Sequence, residues 1–525
     1  MEYSRIQLDD LPDEILLIIF EKLNKLSVLY SLAGVNKRLN VIVHSPNFTS
    51  RLNLLRCLSD HSIRSLPKRR LERFCSQLLP EIHHKIKWLN LEPISIKRIL
   101  LSTTYPALYG LGLYCNNIED AMSLFTSDTT FNHTVKNQIS SLVINIRENI
   151  NSNSSQCFYT NLFSLIFTTF LNLQYFNFAQ SSLHHQRLSF GLSSPTLISS
   201  SLLELNVRVQ DFTDCLHLLD GRFSQLRTFR VDVYRIFSAS SRTNNKVKLP
   251  DLKSFSLHCD MRTHAYDELI MPLLRRMLNL ETLDLHLNLD FNTGFIDGNH
   301  LKENIVNPML RLNKFTFNIC LFNYLPHEID LPSNDEFQNT FNNILDHQII
   351  SCLDYFHESH YSYFHFYTFP YTLKSYDNIT NNFPGGLFDY VHTISLHDER
   401  PFESDFFLRI ALSFPSMTSL TVINQQPQKN DNQYLSIIKY PHLKVLNLIE
   451  ANDDYVEQFL VDNKCDLPNY VCLYAKIESL TTVTHNFTRD ATRTNCSKVN
   501  YTSFDDVSSF SKDFRKYFLH VDIDM

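Results

Sequence analysis

The sequence predicts an α/β chain, a small three-helix unit followed by an irregular β/α solenoid, and three observations predict it. First, a short phrase of the form apolar-Pro-x-Leu-x-x-Leu-x-Leu recurs at residues 105–113, 249–257, 414–422 and 440–448. Looser copies of its LxxLxL core begin at Ile86, Leu108, Ile139, Leu173, Leu202, Leu226, Leu252, Leu280, Leu312, Val391, Met417 and Leu443, mostly 22 to 34 residues apart. Second, four of these twelve copies carry a proline two positions before the core, at Pro106, Pro250, Pro415 and Pro441, where 19 prolines in 525 residues place about 0.4 by chance. Third, helical patterns fall between the copies, at 211–219, 265–278, 402–414 and 453–460. Self-similarity at this period indicates stacked units.

The core of each copy reads as a strand. Side chains alternate along a strand, so Leu283 and Leu285 point to one face while Thr282 and Asp284 point to the other. A strand followed by a helix, repeated, makes a parallel sheet with helices behind it. One such unit cannot bury its own apolar edge, so its neighbours must stack on it.

The N-terminus reads differently. Residues 8–23, LDDLPDEILLIIFEKL, place six apolar residues in a row from 15 to 20. Pro12 suits a first helical turn, Asp10 can cap it, and Asp13 and Glu14 favour its positive end. A second helix is expected through Val28, Leu29 and Leu32, a break at Gly34, and a third helix through Leu39, Val41, Ile42 and Val43. Such a unit is too small to bury all its apolar side chains. Each one left wet forfeits roughly 1.5–3 kcal/mol, so a partner surface is expected, either the end of the solenoid or another protein.

The expected organisation is therefore a helical unit at 6–48, a helical connector at 49–82, a solenoid at 83–480 and a C-terminal cap or tail at 481–525. The basic run Lys68-Arg69-Arg70 with Arg73 reads as the solvated face of a connector helix. The repeat is weakest at 320–388. That stretch holds the aromatic run DYFHESHYSYFHFYTFPY at 354–371, expected to be an insertion over a binding face. Past the last helical pattern at 453–460, residues 477–483 read as an edge strand and 488–507 as loop.

Composition removes several function classes. A net charge of −7 gives no basic field for phosphate backbones, so no nucleic-acid partner is expected. The run at 15–20 follows acidic residues and is shorter than a secretory h-region, no segment has the length of a membrane span, and the eleven cysteines form no CxxC pair. An intracellular protein, cytoplasmic or nuclear, with reduced thiols and no membrane association is the expectation. Among nine glycines none opens a P-loop or completes a dinucleotide fingerprint, and His327-Glu328 and His357-Glu358 lack the second zincin histidine. His357 and His360 join no recognised ligand set. No enzymatic activity, cofactor or metal is expected.

Two resemblances organise these readings. The repeats resemble leucine-rich repeats, with pattern LxxLxLxxN/CxL, which Leu108-Tyr-Gly-Leu-Gly-Leu-Tyr-Cys-Asn-Asn-Ile118 matches throughout and 280–288 matches through Asn288. Leu8-Asp-Asp-Leu-Pro-Asp-Glu-Ile-Leu with Ile19-Phe20, Leu23, Leu29, Leu32 and Val35-Asn-Lys-Arg38 resembles the F-box, departing at Leu39, where that family usually has Trp. F-box proteins with leucine-rich repeats dock on a Skp-type adaptor, join a cullin-RING ubiquitin ligase and select a protein substrate with the second domain. Carried over by position, the resemblance implies adaptor contacts at Leu8, Leu11, Pro12, Ile15, Leu16, Ile19, Leu29, Leu32 and Val35, some of which must instead hold the helices together. The outward strand positions, including Trp88, Tyr175, Glu204, Arg230, Asp284 and Lys314, form the candidate substrate face. The alternative is a repeat scaffold without a ligase role, whose N-terminal helices cap the solenoid.

Overall fold

The computed structural model describes residues 8–57, 63–126, 131, 133–146, 155–178, 187–190, 198–237, 247–290, 296–324, 332–342, 344, 348–429, 437–503, 514 and 517–523. It divides into two compact units: residues 1–288 with 305–315, and residues 289–304 with 316–525. An N-terminal helical bundle leads into a large mixed β-sheet and helix region.

The bundle consists of α1 (Asp13–Glu21), α2 (Lys25–Leu32), α3 (Lys37–Val43) and the single turn α4 (Pro46–Thr49). Asn24 and Asn36 start α2 and α3, their side chains accepting hydrogen bonds from the backbone amides of Ser27 and Leu39. Pro12, and not Asp10, occupies the position before α1, where a missing N–H costs nothing. Gly34, at φ +81°, makes the turn between α2 and α3. Leu16, Phe20, Leu26, Val28, Leu29, Leu39, Ile42, Val43 and Phe48 are buried, with the Phe20 and Phe48 rings edge to face at 6.4 Å. Leu39, which stands in place of the tryptophan usual in the family it resembles, is among them.

In the first unit, eight strands pair in parallel in chain order: Arg51–Asn53, Trp88–Leu91, Gly110–Cys115, Ser141–Ile146, Tyr175–Phe178, Glu204–Asp211, Thr228–Arg235 and Ser254–Thr263. Thr282–Asp290 follows as the next neighbour. Helices such as Pro93–Leu100, Ile118–Thr126, Ser155–Thr169 and Phe212–Leu218 lie between them in sequence. In all twelve copies the strand begins two residues after the first apolar position, and that position is buried in each.

The proline column has a local cause. The amides of Leu108, Leu252, Met417 and Leu443 donate to the carbonyls three residues earlier, at Tyr105, Leu249, Phe414 and Tyr440. Each phrase is thus a β-turn with proline at its second position, which its fixed φ suits. The turn delivers the chain into the sheet at a repeated joint. Tyr109 and Gly110 both donate to Lys87 O, Ser140 and Ser141 to Tyr109 O, and the same double bond recurs through Glu281 and Thr282 on Lys253 O.

The second unit contains seven parallel strands in chain order: Ser375–Ile379, Thr393–His397, Ser419–Ile423, Val445–Asn447, Val471–Tyr474, Val499–Ser503 and His520–Ile523. It also holds antiparallel pairing, of Lys314–Tyr324 with Tyr361–Thr368 and of the latter with Ile349–Phe356.

Four expectations are corrected. The connector at 49–82 is not wholly helical: Arg51–Asn53 already belongs to the parallel sheet, because Leu52 alternates as a buried residue between two exposed ones, and the hairpin of Leu55–Cys57 with Ile63–Ser65 follows. The aromatic run, expected as an insertion over a binding face, is built into the sheet. It forms two paired strands whose Phe356, Tyr363, Phe364, Phe366 and Tyr367 are buried, aromatic residues being suited to strands buried on both faces. Residues 477–483 form the helix Ile477–Val483, since Leu480 and Val483 recur at a helical interval of three. Within 488–507 lie the helix Asp490–Lys498 and the strand Val499–Ser503. That helix buries a polar face, with Asn495 donating to the Cys465 carbonyl at 2.7 Å, so no apolar pattern announced it.

Candidate functional site

Two outward surfaces of the first unit carry the residues of interest. The first is on α1. Leu16 and Phe20, four residues apart, face inward, which turns Ile15, Ile18 and Ile19 to the opposite side, with Leu23 one turn beyond. These four side chains remain 42, 56, 39 and 53% exposed, and Leu8 and Val35 are exposed as well. Leaving several large aliphatic groups wet on one helix face is unfavourable unless a partner covers them.

The start of α1 is held by Arg38. Its guanidinium donates to Asp13 Oδ1 at 2.7 Å and to the Leu11 carbonyl at 2.5 Å, which ties the beginning of α3 to the beginning of α1. Asp13 and Arg38 are well exposed, so the ion pair orients the helix more than it stabilises the fold.

Of the nine residues carried over as adaptor contacts, the structure divides the set. Leu8, Pro12, Ile15, Ile19 and Val35 are exposed, and Leu11 and Leu32 are half-buried. Leu16 and Leu29 are corrected to core residues: neither has exposed surface, because each sits on the inner side of its helix. Ile18 and Leu23, outside the expected set, are exposed beside Ile15 and Ile19. The spacing of Ile15, Ile18 and Ile19 against the Leu16–Phe20 pair could have found Ile18 once one inward residue was known.

The second surface is the outward face of the parallel sheet, and it is polar. Trp88 lies half-buried across the neighbouring strand, where a Cβ on Gly110 would come within 2.0 Å of its ring. Its Nε1 donates to Asn90 Oδ1 at 2.6 Å and the Arg51 guanidinium covers the ring at 5.3 Å. The hydroxyl of Tyr175 accepts from the side-chain amides of Asn177 and Asn206. Glu204 pairs with Arg230 at 2.5 Å, Asp284 accepts from Ser256 at 2.9 Å, and Lys314 is exposed at the start of its strand. The six candidate residues therefore all lie on strands and retain accessible surface.

Between them lies an ionic ladder absent from the expected set. Asp232 receives Arg187 at 2.7 Å and Arg208 at 3.0 Å, and Asp260 receives His258 Nε2 at 2.8 Å with His286 Nε2 at 3.6 Å. A cleft of ≈ 370 Å³ opens along it, lined by Asn177, Asn206, Arg208, Arg230, Ser256 and His258 among others. The bond from His258, with the charge of the neighbouring imidazoles, holds the Asp260 carboxyl down to about 2. Burial, and then the imidazole of His258, lowers His286 to about 4, so His286 is neutral at physiological pH. Burial works against charge on His258, but its bond to Asp260 and the carboxylates of Asp260 and Asp232 outweigh it and raise its pKa.

Burial pushes the thiols of Cys115, Cys215, Cys259, Cys465 and Cys496 well up, away from the reactive thiolate. In the aromatic hairpin, the buried Asp354 accepts from Thr380 and Asn382 at 2.6 Å each and lies 3.5 Å from Arg400, which satisfies its oxygens structurally. Among the described residues no helix is long and apolar enough to cross a membrane.

A family model described as F-box-like matches residues 8–54. The match covers the four helices and runs through the first sheet strand. No curated protein matches the chain. The matched module is a protein-interaction module and not a catalytic one, and it implies an interaction with a Skp-type adaptor.

Proposed function

We propose that the chain is the substrate-recognition subunit of a Skp-cullin-F-box type ubiquitin ligase. The F-box-like helices dock on the adaptor and, through it, on a cullin-RING ligase. The repeats, read as irregular leucine-rich repeats in a solenoid, bind a protein substrate on their polar outward strand face. The observation that carries the proposal is the exposed aliphatic face of α1 inside the segment matched as F-box-like. Docking there is helix-in-groove recognition, with Ile15, Ile18, Ile19 and Leu23 as anchors at helical spacing and Asp13 and Glu14 on the polar rim.

The competing reading, helices that only cap the sheet, draws on a real feature. Lys87 and Trp88 donate to the Ser50 carbonyl, and Arg51–Asn53 pairs with Trp88–Leu91, so the end of the helical unit does close the sheet edge. Capping uses α4 and this strand and leaves the outer face of α1 unused. Co-purification of the full chain with a Skp-type adaptor, beside the Ile15→Asp, Ile19→Asp double variant, tests the proposal. One-to-one binding lost in the double variant supports adaptor docking; no binding by folded wild-type chain reduces the helices to a cap.

A further inference from the structure

We propose that His258, Asp260 and His286 form a binding site for a divalent transition metal of the zinc class on the outward sheet face. The ligand atoms of the three residues lie within 4.8 Å of one another. Both imidazole Nε2 atoms converge on the same carboxylate oxygen, at 2.8 and 3.6 Å. Bonds of about 2.0–2.2 Å to nitrogen and oxygen in a tetrahedral shell put ligand atoms about 3.4 Å apart, so the observed separations bracket what a metal needs. Small side-chain rotations, easiest for the exposed Asp260, complete the fit.

The fold produces this cluster. Glu281 and Thr282 donate to the Lys253 carbonyl, which sets the strand Thr282–Asp290 in register with Ser254–Thr263. His286 then lies directly across from His258, ring centroids 4.2 Å apart, and Asp260 follows His258 by two residues on the same face. Two like groups placed opposite each other on a sheet, sharing one acceptor, gain little from one another as free side chains. A cation between them uses both lone pairs. The neighbouring carboxylate of Asp232 adds to the negative charge facing the site, partly offset by Arg187 and Arg208.

The donor set selects the metal. Two imidazoles and one carboxylate suit zinc and its neighbours and not calcium or magnesium, which take oxygen shells. Three protein ligands leave a position directed outward, available to water or to a donor side chain of a bound protein. The latter use rests on the proposed substrate role of this face; metal binding itself does not. His286 Nδ1 is buried without a hydrogen-bond partner, and lack of that outer-shell bond weakens a site about 10–100-fold, so an exchangeable metal is expected in place of a locked structural one.

The test is calorimetric titration of zinc into the purified full chain, beside Asp260→Asn and the His258→Gln, His286→Gln double variant, each verified as folded by circular dichroism. Wild type is expected to bind one more equivalent than either variant and to melt at a higher temperature with zinc. Equal stoichiometry in all three overturns the site. A second measurement needs no variant: modification of histidines by diethyl pyrocarbonate, mapped by mass spectrometry with and without zinc. Protection of His258 and His286 by zinc and not by magnesium supports the proposal, and modification unchanged by zinc overturns it. Neither readout involves the adaptor, so failure here leaves the adaptor proposal standing.

Discussion

The outer face of α1 and the outer face of the parallel sheet both belong to the first unit and both look outward, yet they are built in opposite ways. On α1 the exposed aliphatic residues are Ile15, Ile18 and Ile19, and the groups below them are equally apolar, Leu16 and Phe20. On the sheet, Phe229, Val231, Leu257 and Leu285 are buried, and between them stand arginines, carboxylates, histidines and amides that largely bond to each other. A helix that is apolar on both sides has one side too many for its own core. A sheet that alternates has satisfied its core already, and its outward face is free to vary. The helix face therefore has the character of an apolar docking surface, and the sheet face that of a polar, internally bonded one.

The largest expected effect breaks the first half of this contrast. The Ile15→Asp, Ile19→Asp double variant places two carboxylates on the face that would be dried by the adaptor. Adaptor affinity is expected to fall by more than about 100-fold while the melting curve of the free chain stays within roughly 1 °C, because neither side chain belongs to the core. Biolayer interferometry and thermal circular dichroism measure the two quantities. A large loss of stability would mean that α1 is packed on both sides.

Leu16→Ala is the complementary substitution, one residue away on the other side of the same helix. It removes a side chain with no exposed surface and is expected to cost about 2–5 kcal/mol of stability, seen in denaturant unfolding. Adaptor binding should weaken only to the extent that the helical unit melts. Wild-type stability in this variant would remove Leu16 from the core.

Between these neighbours lies the limit of what the chain reveals before folding. The six apolar residues in a row mark a helix with more hydrophobic surface than it can use, but a continuous run has no amphipathic phase, so Ile15 and Leu16 are indistinguishable until α2 and α3 supply the inner side. The repeats are more legible. Every one of the twelve copies starts a strand at the same offset, since a buried apolar residue followed by alternating apolar positions encodes the geometry locally, with a proline turn reinforcing it in four of them. The hairpin of Ile349–Phe356 with Tyr361–Thr368 escaped because Tyr361–Thr368 is aromatic and buried on both faces and so shows no alternation. The histidine cluster escaped for another reason. Its ligands at 258, 260 and 286 are spaced by one repeat, and only strand register brings them together.

The sheet half of the contrast is sharpened at Gly110. A methyl group there would meet the Trp88 ring at 2.0 Å, so Gly110→Ala must displace the ring from its place across the strand. A cost of about 1–3 kcal/mol is expected, as for overpacking elsewhere. Trp88 is the single tryptophan of the chain, so its fluorescence reports the displacement directly. An emission maximum and quenching by iodide equal to wild type would show that the ring had not been held there.

The smallest effect concerns the ion pair of Glu204 and Arg230, and its smallness is informative. The pair is close, at 2.5 Å, but Arg230 is more than half exposed, and exposed pairs contribute about 0–1 kcal/mol. A double-mutant cycle of Glu204→Ala and Arg230→Ala, followed by denaturant unfolding, should therefore return a coupling under about 1 kcal/mol that shrinks further in high salt. A residue whose removal barely touches stability is free to be chosen for what it binds. The same two substitutions should then alter capture of a protein substrate far more than they alter the fold, whereas a coupling of several kcal/mol would make the pair part of the scaffold and move the recognition surface elsewhere on the sheet.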